Sequence, residues 1–273
     1  MLDKLLAPFD LAAAVRVIDF APEHHLHVLK LTEERLAEVF AIERSLRLQA
    51  ETSGYWPLIV GDDGDLHRVT EHLRRKCSAG YDWQSVITEA VRFNFQTWAT
   101  GAFNRQRQTL QQHYESGDVD KIMDELTGEW PASTVPMNTY LVACDVKPVV
   151  ENGVLGGRLE IKPQLNLLFV ETTKSWHVPA MLCWGGWNAS PEAQIHSAAA
   201  RHWHRKYGAV PEGWSEDHVA YAVDAPPRNR EEAYQLALEQ FAVCPDNVSQ
   251  NYGSLRNLAA HLVDSHIWNF WWD

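Results

Sequence analysis

The run IWNFWW at residues 267–272 is the sequence feature that most constrains the fold. Every second side chain of a β-strand points to the same face, so Trp268, Phe270 and Trp272 share one face. The opposite face is also mainly apolar. A strand of this kind must be covered on both sides, as the inner strands of layered α/β sheets are. The run therefore predicts an α/β fold in which this segment is pinned within the core.

Strand and helix patterns occupy most of the remaining chain. Alternating or continuous apolar runs predict strands at residues 15–20, 24–31, 55–61, 138–146, 158–161, 165–172, 177–184 and 218–223. Capping residues, among them Ser190, Asn229 and Ser254, and apolar faces predict helices at residues 32–51, 66–76, 83–115, 119–126, 190–207, 229–243 and 254–263. Helical connections favour parallel strands, whereas the short turns at 22–23 and 172–175 favour antiparallel pairs. We therefore expect a mixed, partly parallel sheet flanked by helices, with a helical middle segment; an α+β arrangement is the alternative.

A chain of 273 residues suits one large domain or two modest ones. The proline-containing segment EWPASTVP at 129–136 is the best linker candidate. We expect an N-terminal α/β and helical region at 1–128 and a C-terminal α/β domain at 137–273; alternatively, the two pack as one unit.

The charge balance restricts the classes of partner. The net charge is −12, from 36 acidic and 24 basic side chains, and no long basic run is present. Nucleic acid is not expected, because its binding needs a positive surface, and a basic protein partner is the better expectation. No run reaches the length of a membrane span. The four cysteines are widely spaced, which indicates a reducing, cytoplasmic location rather than a disulfide framework.

Several segments together resemble a known family. They are TSGYWPLIVGD (52–62), WHVPAMLCWGGWNASP (176–191), RHWHRKYGA (201–209), DAPPRNREEAYQLALEQFAVCPDNVSQ (224–250), SLRNLAAHL (254–262) and WNFWWD (268–273). They resemble the bacterial family catalogued as domain of unknown function 4253, and the motifs are specific over 176–273. The middle, at about 66–160, is similar only in length and helical character. The resemblance implies a fold and assigns no activity or catalytic residue.

The segment GGWNASPE at 185–192 is the first candidate binding element, because it joins a predicted strand to a helix N-terminus. Polar residues also follow the predicted strands at 218–223 and 267–272, and ligand clefts form at the carboxyl ends of strands. The candidate pocket consists of Trp184, Gly185, Gly186, Trp187, Asn188, Asp224, Asp246, Gln250 and Asp273. The alternative is structural: the glycines let the tryptophans pack, and the aspartates pair with nearby arginines.

No metal or cofactor is expected from the histidines. His25 and His27 share a strand face, but two ligands do not make a site. The histidines of the 190–207 helix are not spaced for chelation, and the acidic turn at 62–65 lacks the full calcium-loop pattern. Cys244 remains open as a nucleophile that would need a histidine partner in space.

Two classes of function follow from these patterns. The absence of a catalytic motif, the acidic charge and the 12 tryptophans favour a non-enzymatic protein-binding factor of the immunity or adaptor kind. The alternative is a small-molecule enzyme, possibly a hydrolase, with a pocket at the strand carboxyl ends. The enzyme hypothesis requires the candidate residues to line a deep pocket and to include a strongly shifted pKa.

Overall fold

Alternating apolar side chains build the first hairpin of the sheet, as the sequence predicts. The computed structural model describes residues 2–11, 14–21, 24–133, 143–151, 154–215 and 217–273. Strand β1 (Val15–Ala21) pairs antiparallel with β2 (His24–Thr32), and β2 pairs antiparallel along its other edge with β6 (Gln164–Val170). Apolar residues dominate β6, and all of its residues after Gln164 are buried.

The remaining strands complete a mixed sheet. They are β3 (Trp56–Ile59), β7 (Val210–Trp214), β8 (His218–Ala222) and β9 (Ile267–Trp271). The strand order is β1-β2-β6-β3-β7-β8-β9, with β3 antiparallel to β6 and parallel to β7. Strands β4 (Cys144–Glu151) and β5 (Val154–Ile161) form a separate two-stranded sheet. The predicted α/β class, with a mixed sheet flanked by helices, is confirmed.

Most of the helices lie in segments that were predicted to be helical, and they divide those segments more finely. They are α1 (Leu2–Leu6), α2 (Val39–Arg47), α3 (Ala50–Ser53), α4 (Asp63–Ser78), α5 (Trp83–Arg92), α6 (Phe95–Thr100), α7 (Ala102–Gln111), α8 (Ser116–Thr127), α9 (Val178–Met181), α10 (Ala193–Tyr207), α11 (Arg230–Val243) and α12 (Leu255–Leu262). A π-helical segment, Asn247–Tyr252, precedes α12. The predicted 83–115 helix is three helices, because Asn94 caps α6 through Thr97 N and Gly101 separates α6 from α7.

The prediction of a strand at 177–184 is wrong, and so is its antiparallel pairing with β6. This segment forms α9, with Pro179 in the first helical turn, where its fixed φ and missing N–H are tolerated. Conversely, β7 was not predicted, because its sequence VPEGW contains residues that are poor strand formers.

Two predicted features of helix starts also differ in the structure. The turn at 62–65 is the beginning of α4, where the Asp62 side chain accepts hydrogen bonds from Gly64 N and Asp65 N in a capping box. Ser190 does not cap α10, which begins after Glu192. The predicted caps at Asn229 and Ser254 are confirmed, each accepting a hydrogen bond from the backbone N–H three residues later.

The chain divides into two compact units, each assembled from separated segments. Unit 1 comprises Met1–Asp82, Tyr140–Leu182 and Pro211–Ala220, and unit 2 comprises Trp83–Thr139, Cys183–Val210 and Tyr221–Asp273. The boundary expected between 128 and 137 stays a prediction, and residues 134–136 of its linker lie outside the described residues. Among the helices of the described ranges, none is long and apolar enough to cross a membrane.

Candidate functional site

The Trp184–Ser190 turn of unit 2 is shaped by packing. Trp184 is 1% exposed, and its ring packs edge-on against His196 and Tyr221 at centroid distances of 6.2 and 6.5 Å. Gly185 has φ +78°, and a Cβ there would lie 1.8 Å from the carbonyl oxygen of Pro191. The glycine is therefore required for the turn itself. This favours the structural alternative for Trp184 and Gly185.

Three of the predicted site residues meet at the end of β9. The Asn188 side-chain nitrogen donates to the carbonyl oxygen of Asp273 at 2.5 Å. The backbone N–H of Asp273 donates to Asp246 Oδ2 at 3.2 Å. Beside them, the rings of Trp187 and Trp272 are 6.5 Å apart. The polar groups of this cluster are thus engaged in holding the backbone of the terminal residue.

The structure does not bring Asp224 to this cluster. Val223 N donates to His266 O at 2.9 Å, so the end of β8 lies beside the start of β9. Asp224 and Asp273 therefore lie at opposite ends of β9, roughly 17 Å apart for five extended residues. Asp224 packs against Gly208, where an added Cβ would approach the Asp224 Cβ to 2.9 Å. Gln250 is exposed on the π-helical segment.

The predicted cleft at three strand carboxyl ends is therefore not formed. The segment before Asn188 is a helix rather than a strand, and Asp224 sits at the other end of β9. Cys244 does not supply a nucleophile either. Its thiol is buried and lies 3.0 Å from the carbonyl oxygen of Trp271, to which it donates. Burial raises the pKa of the Cys244 thiol to about 12, so it is not a thiolate near neutral pH.

A cavity of about 620 Å³ lies elsewhere in unit 2, between the α5–α6 junction and α10. Its lining residues are Ala90, Arg92, Phe93, Asn94, Phe95, Gln96, Ala198, Arg201, His202, Arg205 and Lys206. This basic cavity contains none of the nine residues predicted from the sequence. Its volume falls within the range of about 300–1,000 Å³ that is usual for ligand pockets.

Four permanent cations and no carboxylate line the basic cavity. Arg201 donates from Nη1 to the carbonyl oxygen of Val91 at 3.2 Å, which ties α10 to the end of α5. Burial, and secondly the neighbouring charge of Arg205, lower the pKa of the Arg201 guanidinium. The two arginines thus repel each other, and an anion between them would relieve that repulsion.

Glu239 of α11 offsets part of this charge from outside the lining. Its Oε1 lies 3.2 Å from His202 Nε2 and 3.7 Å from Lys206 Nζ, and its Oε2 accepts from Trp203 Nε1 at 3.0 Å. Neither Arg92 nor Arg205 has an ion-pair partner in the part of the chain that the structure describes. The uncompensated charge of the cavity is therefore carried mainly by arginine.

The sequence contains one local pattern that belongs to this cavity. Arg201 and Arg205 are four residues apart and so share a face of α10. In sequence they are explained by the helix dipole, which favours cations near a helix C-terminus. The opposing side of the cavity comes from α5 and α6, about 100 residues earlier, and no local pattern places it there.

The motifs of residues 176–273 that carry the family resemblance now have positions in the structure: α9, the Trp184–Ser190 turn, α10, α11, α12 and β9. Residues 166–273 match the family model described as Domain of unknown function (DUF4253). The match begins within β6 and includes each of these elements. No curated protein and no solved structure shows a significant match to the chain.

The DUF4253 match covers only part of the basic cavity. The α10 side, with Arg201, His202, Arg205 and Lys206, falls inside it, and the α5–α6 side falls outside it. The match also covers only part of a buried acid pair in unit 1, Glu43 and Glu212. Glu212 lies inside the match and Glu43 lies outside it.

This acid pair is buried in unit 1. Glu43 and Glu212 are 0% and 1% exposed, and Arg47 lies between them, with Nε 3.0 Å from Glu43 Oε1 and Nη2 3.7 Å from Glu212 Oε1. Burial, followed by the charge of Glu212, raises the pKa of the Glu43 carboxyl well above its ordinary value, while Arg47 opposes the shift. One guanidinium cannot balance two buried carboxylates, and this imbalance favours the protonated form of Glu43.

Proposed function

We propose that the protein is a non-enzymatic binding factor that holds an anionic ligand in the basic cavity of unit 2. The observation that carries the proposal is the charge of the lining: Arg92, Arg201, Arg205 and Lys206 face one cavity without a lining carboxylate. In a chain of net charge −12, such a concentration of cations runs against the overall balance. Arginine in particular suits bidentate contacts with carboxylate and phosphate groups.

The shape and the apolar part of the lining support an organic anion. Phe93 and Phe95 contribute aromatic surface beside the cations. Phe95 is itself held by rings of α10, with centroids 5.3 Å from His202 and 5.6 Å from Trp203. A pocket of this size with a few convergent polar groups and an apolar wall is typical of a small-molecule site.

The chemistry of the lining supports binding rather than catalysis. Its residues include no cysteine, serine, aspartate or glutamate, which are common nucleophiles and general bases. The one titratable imidazole, His202, is within hydrogen-bond distance of Glu239. The enzyme alternative at the end of β9 stays a prediction, as do the basic protein partner, the immunity- or adaptor-like role and the cytoplasmic, bacterial setting.

Calorimetric titration with citrate and pyrophosphate, one carboxylate and one phosphate probe, tests the proposal. We expect saturable binding of at least one probe that weakens as sodium chloride is added, because salt screens the cation–anion attraction. Arg92→Ala and Arg205→Ala should each weaken that binding roughly tenfold or more, the usual loss for a hydrogen bond to a charged group. Both side chains are exposed, so these variants should remain folded.

Arg228→Ala is the matched control, because Arg228 is an exposed arginine of unit 2 outside the cavity. It should bind the probes as the wild-type chain does. Equal binding by all three variants would place the anion elsewhere. A wild-type protein that binds neither these probes nor any member of a panel of anionic metabolites in a thermal-shift screen would contradict the proposal.

A further inference from the structure

A row of polar side chains crosses unit 1 at one end of its strands. Asp19 of β1 lies opposite His25 of β2 in the antiparallel register. On the other edge of β2, His27 lies opposite Phe169 of β6, so continuing that register by two residue pairs brings Glu171 across from His25. Directly opposed residues of neighbouring strands share a face, so these side chains project to the same side of the sheet.

His27 sits at the edge of the aliphatic core of unit 1. Its face of β2 continues into Leu29 and Leu31, which are 0% and 1% exposed. The His27 side chain is 20% exposed and that of Glu171 is 56% exposed. The His27 side chain is therefore held by packing, whereas the Glu171 side chain remains accessible to solvent.

The distances bring three metal-binding groups together. One ligand atom from each of His25, His27 and Glu171 lies within 4.8 Å of the other two. His27 Nε2 and Glu171 Oε1 are 3.4 Å apart. Two atoms bound to one tetrahedral Zn²⁺ at about 2.0–2.1 Å are separated by about 3.4 Å. The wider separations would close by small rotations of the exposed side chains.

The surroundings orient these groups as a metal site requires. The Tyr55 hydroxyl, on the neighbouring strand side of β6, donates to Glu171 Oε1 at 3.4 Å. The rings of His25 and His27 meet edge-on at 5.1 Å, and the ring of Tyr55 meets that of His27 at 5.8 Å. Such outer contacts fix the orientation of ligating side chains and contribute to metal affinity.

We propose that His25, His27 and Glu171 form a binding site for a divalent transition-metal ion, with Zn²⁺ as its natural probe. Two imidazoles and a carboxylate suit Zn²⁺ and its neighbours in the first transition row, whereas Mg²⁺ and Ca²⁺ prefer oxygen ligands alone. Three protein ligands leave a coordination position open to water or to a further ligand. The sequence alone offered two histidines, and the antiparallel pairing with β6 supplies the third ligand.

The site is independent of the basic cavity, because it is built entirely from unit 1. The test is a calorimetric titration of the full chain with Zn²⁺ after dialysis against a chelator. We expect one Zn²⁺ per chain, a raised melting temperature with Zn²⁺ and no comparable effect of Mg²⁺. His27→Ala and Glu171→Gln should each weaken Zn²⁺ binding at least tenfold.

His67→Ala is the matched control, since it removes an exposed histidine of α4 in the same unit. Its Zn²⁺ affinity should equal that of the wild-type chain. Loss of the exposed His67 imidazole does not threaten folding, and circular dichroism verifies that all three variants are folded. Unchanged Zn²⁺ affinity in both His27→Ala and Glu171→Gln would overturn the proposal, and so would wild-type binding no tighter than about 1 mM.

Discussion

The two units are filled by different kinds of side chain. The core of unit 1 is largely aliphatic, formed by Leu2, Leu6, Leu11, Leu29, Leu31, Leu36, Val39, Ile42, Leu46, Ile59, Ala143, Leu165, Leu167 and Phe169. The core of unit 2 contains an aromatic cluster formed by Phe95, Trp184, His196, Trp203, Tyr207, Tyr221, Trp268, Phe270 and Trp272. Aliphatic packing tolerates volume-conserving exchange, whereas rings also depend on their mutual angles. Unit 2 should therefore be the less tolerant of substitution.

The units also bury opposite kinds of titratable group. Unit 1 holds Glu43 with a raised carboxyl pKa, and unit 2 holds His196, whose imidazole pKa burial lowers to about 3. Both shifts favour the neutral form of the group, but the two groups respond to pH in opposite directions. His196 should consequently reduce the stability of the chain in acid, and Glu43 should reduce it in alkali.

The largest effect should follow deletion of residues 268–273. In the structure Trp268, Phe270 and Trp272 are at most 3% exposed, and Trp203 stacks on Phe270 with centroids 5.4 Å apart. Deletion removes three rings from the aromatic core, each worth about 3–5 kcal/mol, against a total stability of about 5–15 kcal/mol. We expect no cooperative thermal transition by circular dichroism. A soluble, cooperatively melting truncation would refute this expectation.

Trp203→Ala is the next largest disruption. Trp203 contacts Phe95, Tyr221, Trp268 and Phe270, all within unit 2. Its removal should cost about 3–5 kcal/mol, whereas Leu167→Ala in unit 1 should cost about 2–5 kcal/mol.

Urea unfolding of both variants measures the contrast. If Trp203→Ala lowers the free energy of unfolding less than Leu167→Ala does, the aromatic core of unit 2 is not the less tolerant of substitution.

Much of the fold could be predicted because its strands carry complete local patterns. Residues 15–20, 24–31 and 267–272 alternate or are apolar on both faces, and each forms a strand. The prediction of a strand at 177–184 was wrong because a short buried apolar run is compatible with both a strand and a helix. Here Pro179 in the first helical turn agrees with the helical outcome. β7 was missed because Glu212, a residue atypical of strands, is buried there beside Arg47.

The candidate site was harder to predict than the fold, because its residues come together across long stretches of chain. Asn188, Asp246 and Asp273 were named together and do meet. Asp224 was placed with them on the assumption that strand ends coincide, which fails when β8 and β9 run in opposite directions. The basic cavity and the His25–His27–Glu171 group both need a partner segment over 100 residues away, and no periodicity in one sequence supplies that pairing.

Acid should destabilise the protein through His196. The group is buried, with Ser190 Oγ 3.1 Å from its Nε2, and its pKa falls from 6.5 to about 3. Its contribution to stability is full above the unfolded pKa and is lost as pH falls from 6.5 toward about 3, because the unfolded state then binds the proton more strongly. At pH 5 the loss should be about 2 kcal/mol relative to pH 8.

Urea unfolding of wild-type and His196→Gln proteins at pH 8 and pH 5 tests this difference. The glutamine variant should lose about 2 kcal/mol less than the wild type over that interval. His177 has a pKa lowered to about 4 and contributes equally to both proteins, so the comparison isolates His196. The control His113→Gln removes an exposed histidine, and its stability should change between pH 8 and pH 5 as that of the wild type does. An identical acid loss in the His196→Gln protein would remove His196 from this explanation.

The smallest effect, and the one of opposite sign, should come from Glu43→Gln. The raised pKa of Glu43 means that its contribution is fully present below the ordinary value of 4.5 and is lost as pH rises through the folded pKa. Glutamine keeps the oxygen that accepts from Arg47 Nε and has no proton to lose. The variant should therefore be more stable than the wild type at pH 8, on the order of 1 kcal/mol, and this advantage should vanish near pH 4.5.

The effect is modest because Arg47 already opposes the shift and because only one carboxyl of the pair changes. Urea unfolding at pH 4.5 and pH 8 measures it, with Glu51→Gln at an exposed position of α3 as the matched control. Higher stability of Glu43→Gln in alkali, together with better acid resistance of His196→Gln, would assign the alkaline loss to Glu43 and part of the acid loss to His196. A Glu43→Gln protein that is less stable than the wild type by the same amount at both pH values would show that Glu43 is ionised in the fold and that the contrast between the units is not one of buried neutral groups.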